Sequence, residues 1–417
     1  MELKLSQVDP QVAKILEGEY DRQTKMLMMI ASENYASRAV MQASGSIMTN
    51  KYAEGYPNGR YYNGCAYYDM VENLARDRAK KLFKAGHVNV QLNSGASANM
   101  AAYYALLEIG DSVLGMSTDN GGHLTHGKDL NFSGRWYKFH SYGVSSKDER
   151  LDYDEIRDIA LKVKPKLIVC GASAYPRIID FEKFKSIADE AGALLMADIA
   201  HIIGLVVGGV HPDPIPYADV VTSTTHKTLR GPRGAIIMCK QEYAKQIDRA
   251  VFPGVQAGPL MNQVTAKAVA FKEAQSLSFK EYQKQILSNA AVLAEVLLGA
   301  GFRLVTGGTD NHLMLVDLSD KGITGRDAAD VLEEAGICCN KNSIPNDKRP
   351  PMVTSGVRFG TPALTTRGMK EDEMRLIGSW IIDILGNPGD EGLRVKIRSQ
   401  VEELCEKFPI YQDLMNW

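Results

Sequence analysis

The sequence predicts an α/β protein with two parts, a large domain built on a mostly parallel central sheet and a smaller α+β C-terminal domain. Between about Val88 and Cys239 short apolar runs alternate with helical patterns, the signature of parallel strands joined by crossover helices. Polar side chains fall just after those runs, where ligands of open α/β sheets bind. Beyond about residue 280 the pattern changes to shorter, irregularly spaced apolar runs.

Residues 1–30 read as an N-terminal arm, with Val12, Ile15, Leu16 and Tyr20 at helical spacing ahead of the apolar run Met26 to Ile30. Such an arm is expected to pack on a neighbour. The large domain, 31–280, holds strand candidates at Val88 to Leu92, Val113 to Gly115, Leu167 to Cys170, Ala193 to Ala197, Val220 to Thr222 and Ala235 to Cys239. A helical pattern around Gln263 to Leu298 leads into the small domain, 281–417. There Phe302 to Val305, His312 to Leu318 and Ile337 to Cys339 are the strand candidates.

Composition narrows the function. Lys and Arg total 48 against 50 Asp and Glu, so no charge excess exists to hold a nucleic-acid backbone or an anionic membrane surface. A small-molecule partner is expected. The six cysteines have no C-x-x-C spacing, which argues against disulfides and structural zinc and for a reducing, cytoplasmic setting. No stretch approaches the roughly 20 apolar residues that span a bilayer.

Three segments at strand ends carry the chemistry. In Val221-Thr-Ser-Thr-Thr-His-Lys227-Thr-Leu-Arg-Gly-Pro-Arg233, a lysine stands among hydroxyls, a histidine and two arginines. Neighbouring cations and desolvation turn an ε-amine into a nucleophile toward carbonyls, so Lys227 is a Schiff-base candidate; a solvated basic or phosphate-binding loop is the plainer alternative. Ala193-Leu-Leu-Met-Ala-Asp198-Ile-Ala-His201 ends a strand on a carboxylate. A protonated pyridine nitrogen would keep that group ionised, although a helix cap also explains an Asp there. Asn93-Ser94-Gly95-Ala96-Ser97 offers small residues and free N–H groups at a helix start, which suits a phosphate and equally suits a plain capped turn.

Taken together these segments resemble the serine hydroxymethyltransferase family, pyridoxal-phosphate enzymes of aspartate-aminotransferase-like fold. The resemblance runs almost end to end and includes Ile30-Ala-Ser-Glu-Asn34, Thr49-Asn-Lys-Tyr-Ala-Glu-Gly-Tyr-Pro57, Arg60-Tyr-Tyr62, Gly121-Gly-His-Leu-Thr-His-Gly127, Ala172-Ser-Ala-Tyr-Pro176, Thr224-Thr-His-Lys-Thr-Leu-Arg-Gly-Pro-Arg-Gly234 and Val353-Thr-Ser-Gly-Val-Arg358. It implies pyridoxal 5'-phosphate on Lys227, with Asp198 at the pyridine nitrogen, His123 stacked on the ring, and Ser173 and His201 near the ring hydroxyl. Ser94, Gly95, Ala96, His226 and Gly258 would hold the phosphate, with Tyr52 reaching in from a second subunit. Arg358 would take the substrate carboxylate, assisted by Ser32 and Tyr62. Glu54 would be the acid–base group across a homodimer interface, beside Tyr61 and Tyr62, with Thr224 and His226 flanking the catalytic lysine. Tetrahydrofolate would be the co-substrate, met by Thr118, Gly122, His123, Leu124, Asn342, Pro350, Pro351 and Met352.

The sequence departs from the family on the folate side. Thr118-Asp119-Asn120 stands where the family has an apolar residue, Ala and His, and Pro350-Pro351-Met352 where it has Ser-Pro-Phe. Ala96 replaces a serine of the phosphate loop, and Ala257 a glycine before Gly258. The resemblance therefore implies serine–glycine hydroxymethyl transfer. The alternative is a specialised relative, such as an α-methylserine hydroxymethyltransferase or a folate-independent aldolase or transaldolase of β-hydroxy amino acids.

Overall fold

The computed structural model describes residues 3–412. Its centre is a seven-stranded sheet in the spatial order His87–Asn89, Ala235–Cys239, Val220–Thr224, Leu194–Asp198, Leu167–Cys170, Ser112–Met116 and Lys138–Tyr142. The last five run parallel, and Ala235–Cys239 is antiparallel to both of its neighbours. Central strands such as Leu-Ile-Val-Cys170 are buried along their whole length, because helices cover both faces of the sheet. This is the α/β architecture the alternation predicts. The edge strand Lys138–Tyr142 was not expected: Lys-Phe-His-Ser-Tyr is largely solvent-facing and carries no continuous apolar run.

The second sheet is antiparallel, in the order Arg303–Leu304, Leu313–Asp317, Gly356–Gly360 and Asn340–Asn342. Gly356–Gly360 escaped the apolar search because its centre is Arg358, yet all five residues are buried. Ile337–Cys338 lies outside this sheet. It pairs in parallel with Leu27–Met28, and Gly360 N donates to Met29 O at 2.8 Å, so the N-terminal segment is stitched to the C-terminal third.

The expected helix of 263–298 is two helices, Met261–Ala274 and Leu277–Gly299, parted at Ser276, whose Oγ caps the second by accepting from Phe279 N at 3.2 Å. That second helix contributes Phe279 and Ile286 to the core beneath the large sheet, then Ala290, Leu293 and Leu297 to the core beneath the small one. Leu27 and Met29 belong to the small core as well.

The arm forms helix Pro10–Lys25, capped by Asp9 and packed on helix Glu391–Lys407 of the same chain. Arg367 fixes its end by donating to the carbonyls of Thr24 and Met26. Ala13 is its buried residue, while Val12 and Ile15 remain exposed. Among the described residues no helix is long and apolar enough to cross a membrane.

Candidate active site

The carboxyl ends of the parallel strands converge on a cavity of about 360 Å³. Strand Leu194–Asp198 ends there on Asp198. Its Oδ2 accepts from Asn99 Nδ2 (2.9 Å) and His126 Nε2 (3.2 Å), and its Oδ1 from Ala200 N (3.1 Å). Burial pushes this carboxyl up, but the donors from His126 and Asn99 outweigh burial and hold it below the usual carboxylate range. An ionised acceptor so placed suits a cationic ring nitrogen.

Lys227 sits three residues past strand Val220–Thr224, in a loop that Thr225 closes by donating from Oγ1 to Pro232 O (2.6 Å) and from N to Gly234 O (3.0 Å). Its Nζ donates to Thr224 Oγ1 at 2.9 Å. Burial lowers its pKa to about 8, with Arg233 and Arg358 adding repulsion and Asp198 opposing. The amine therefore loses its proton at a lower pH than an exposed lysine, and the neutral form is the one that attacks an aldehyde.

Ser94 caps helix Gly95–Leu106. Its Oγ accepts from Ser97 N (3.1 Å), and Ser97 Oγ accepts from Ser94 N (3.0 Å), so Ser97 completes a capping box. A Cβ at Gly95 would lie 2.9 Å from Thr224 Cγ2, which shows how closely this helix start abuts the lysine loop. The helix amides face the cavity as a ready anion seat.

Four neutral imidazoles surround the lysine. Burial takes His123 down to about 4 and His226 and His312 to about 3, and drives His201 well below its ordinary value. His123 Nδ1 lies 2.7 Å from Thr125 Oγ1, and His201 Nδ1 lies 3.2 Å from His312 Nε2. His226 lines the cavity, and its Nδ1 is buried without a hydrogen-bond partner among the described residues.

Arg358 enters from the small sheet. Its Nε donates to Asn340 Oδ1 (3.1 Å) and its Nη1 to Ser173 O (2.5 Å), and among the described residues it has no acidic partner. Burial alone lowers it, to about 10, so it stays charged. A buried guanidinium whose Nη2 has no partner among the described residues can take a carboxylate.

A family model described as serine hydroxymethyltransferase matches residues 5–381. The chain belongs to the serine hydroxymethyltransferase family. That family consists of pyridoxal-phosphate-dependent transferases that use tetrahydrofolate, and the residues present fit the cofactor: a lysine amine, an ionised aspartate and a helix start share one cavity.

The expected residues fall into two groups. Ser32, Ser94, Gly95, Ala96, His123, Ser173, Asp198, His201, Thr224, His226, Lys227 and Arg358 all line the cavity. Tyr52, Glu54, Tyr62 and Gly258 do not. They form a cluster elsewhere on the chain, where Tyr52 and Tyr62 ring centroids are 5.6 Å apart and a Cβ at Gly258 would come within 2.9 Å of the Tyr52 ring. Gly258 therefore groups with the hairpin of Glu54 and not with the Lys227 cavity of its own chain. Arg60 steadies that hairpin, donating to the carbonyls on either side of Glu54, Ala53 (2.7 Å) and Gly55 (2.8 Å), while pairing with buried Glu72 at 2.6 Å.

Thr118, Gly122, Leu124, Asn342, Pro350, Pro351 and Met352 also lie outside the cavity lining. Thr118 to Asn120 form a single 3-10 turn with Asp119 exposed, and Pro350, Pro351 and Met352 are exposed on a separate loop. Sequence reasoning missed Asn99 and Thr222, which orient Asp198 through a 2.6 Å bond from Thr222 Oγ1 to Asn99 Oδ1. His126, within the Gly121 to Gly127 motif, is a further direct donor to Asp198. A signal did exist: Asn99 and Thr222 are polar residues on stretches whose apolar neighbours require burial.

Proposed function

We propose that this protein interconverts serine and glycine, with tetrahydrofolate receiving the hydroxymethyl carbon, as a cytoplasmic homodimer whose active sites are shared. The observation that carries the reading is Arg358, buried, charged and without an acidic partner among the described residues, in the same cavity as Lys227 and the Ser94–Gly95 helix start. An amino acid with its carboxylate on Arg358 directs its amino group and Cα toward Lys227.

When bound there, pyridoxal phosphate supplies an electron sink for the bonds at Cα. Lys227 would hold it covalently, Asp198 would pair with its ring nitrogen, and Ser94, Gly95 and His226 would take its phosphate. His123, kept neutral by burial, can lie against an aromatic face without charge repulsion. Thr224 orients the lysine amine through its hydroxyl. Ser32 and the partner subunit's Tyr62 assist Arg358 at the carboxylate, and Glu54 of the partner subunit moves the proton at the hydroxymethyl oxygen.

Support for the shared site comes from exposure. Tyr52, Tyr61, Tyr62, Tyr67 and Met70 lie on the surface of the single chain, 47–76% exposed, as an apolar patch that includes the Glu54 hairpin. Residues 31–280 would form the cofactor-binding domain and 281–417 the smaller domain, with 1–30 as the arm.

The exposed Asp119 beside Thr118 favours a second reading, a relative that acts on another β-hydroxy amino acid, because a carboxylate at that rim repels an anionic folate. Product assays on serine with and without tetrahydrofolate, repeated with α-methylserine and threonine, separate the two. Folate-dependent formation of glycine from serine supports the first; efficient folate-independent cleavage of a bulkier substrate, with none from serine, overturns it.

A further inference from the structure

Helix Met261–Ala274 turns Lys267 inward, where its side chain is enclosed against the large sheet at 1% exposure. Its Nζ donates to three carbonyls, Val90 (2.7 Å), Leu92 (2.8 Å) and Ala235 (2.9 Å). Three acceptors at these distances take all three N–H groups of an ammonium, and no carboxylate pairs with it among the described residues. Burying a charge among carbonyl dipoles alone is costly, and burial pushes this amine down to about 7, with Glu72 opposing. A buried cation with this geometry calls for a reason beyond filling space.

The reason lies in what the three carbonyls belong to. Pairing of strand His87–Asn89 stops at Asn89, and Val90, Gln91 and Leu92 run on without regular ladder partners into Asn93, Ser94 and the start of helix Gly95–Leu106. Ala235 follows directly on the Thr225–Gly234 loop that carries His226 and Lys227. One backbone bond, Ala235 N to Leu92 O at 3.0 Å, joins these two segments, and the ammonium adds three more ties. The fit is close: a Cβ on Gly234 would lie 2.6 Å from Lys267 Cε.

We propose that Lys267 is a positioning residue for the phosphate end of the cofactor, fixing through the backbone at 90–92 and 235 the separation between the Ser94–Gly95 amides and the Lys227 loop. The proposal rests on the reading of Ser94–Gly95 as the phosphate seat. Lys267 does not touch the cavity itself, so its loss should alter phosphate recognition selectively.

The test uses full-length apoprotein and two probes, pyridoxal 5'-phosphate and pyridoxal, which has no phosphate. Lys267→Met keeps the apolar stem and removes the donors. Its affinity for pyridoxal 5'-phosphate should fall tenfold or more while that for pyridoxal changes less than twofold, whereas a general loss of structure lowers both alike. Gly234→Ala, which presses a methyl group onto Lys267 Cε, should shift the ratio in the same direction. An unchanged ratio in a Lys267→Met protein with a normal thermal transition overturns the proposal. If Lys267→Met does not fold, an unchanged ratio in Gly234→Ala overturns it instead. A wild-type protein that binds both probes equally refutes the phosphate seat itself, and the proposal with it.

Discussion

Replacing Arg358 by lysine should weaken amino-acid binding far more than the retained charge suggests. Of the guanidinium nitrogens, Nε is committed to Asn340 Oδ1 and Nη1 to Ser173 O, which leaves Nη2 and the second N–H of Nη1 without a partner among the described residues. Lysine brings three donors on one atom. It cannot satisfy Asn340 and the Ser173 carbonyl while presenting two parallel N–H groups to a carboxylate. At least one charge-assisted hydrogen bond is lost, roughly 1.5–3 kcal/mol, or about a ten- to hundredfold rise in Kd. The assay is spectral titration of the cofactor-loaded protein with glycine, which reads binding without turnover, alongside a simple amine as control. The amine should bind the variant within about twofold of wild type, since it never used the fork. An unchanged glycine Kd with cofactor still bound would show that Arg358 is not the carboxylate anchor.

Three further outcomes are expected. The rate at which apoprotein captures pyridoxal phosphate should rise with pH and level off above about 8, because the neutral amine of Lys227 is the reacting form and its pKa is depressed by burial; a rate still climbing at pH 10 would mean an ordinary exposed lysine reacts. Mixing Glu54→Gln with Lys227→Ala chains, each inactive alone, should restore activity through heterodimers with one intact site, and no recovery despite demonstrated subunit exchange would refute the shared site. Thr118→Leu should tighten tetrahydrofolate binding by ~1–2 kcal/mol if that position meets the ligand's apolar part, as measured by calorimetry in the presence of glycine, and no change would place folate elsewhere.

The large sheet was legible because strands buried on both faces are written as continuous apolar runs; Leu167–Cys170 and Ala235–Cys239 needed no other signal. Lys138–Tyr142, at the edge, has one wet face and therefore no such run. Gly356–Gly360 hid for a different reason, since its central residue is a charged arginine that breaks the apolar pattern of a buried strand. The cavity side chains were legible through motif and position at strand ends. Their supports were not: Asn99 serves Asp198 from a helix, and His126 from a loop that the chain brings back over the sheet, so only tertiary structure relates them. Pairing of Leu27–Met28 with Ile337–Cys338 is likewise beyond local pattern, because nothing near either segment specifies the other.

That pairing has a consequence for biogenesis. Leu27 and Met29 leave the ribosome long before Cys338 and Gly360, the residues to which Met29 bonds. Throughout elongation the sequence Met26-Leu-Met-Met-Ile30 is a hydrophobic strand without a mate, and its contacts are among the most distant in sequence that the fold contains. The smaller core cannot close until Ile337–Cys338 and Gly356–Gly360 have been made, so it should form after the large sheet has condensed, and the nascent chain should depend on holdase protection of that segment in the interval.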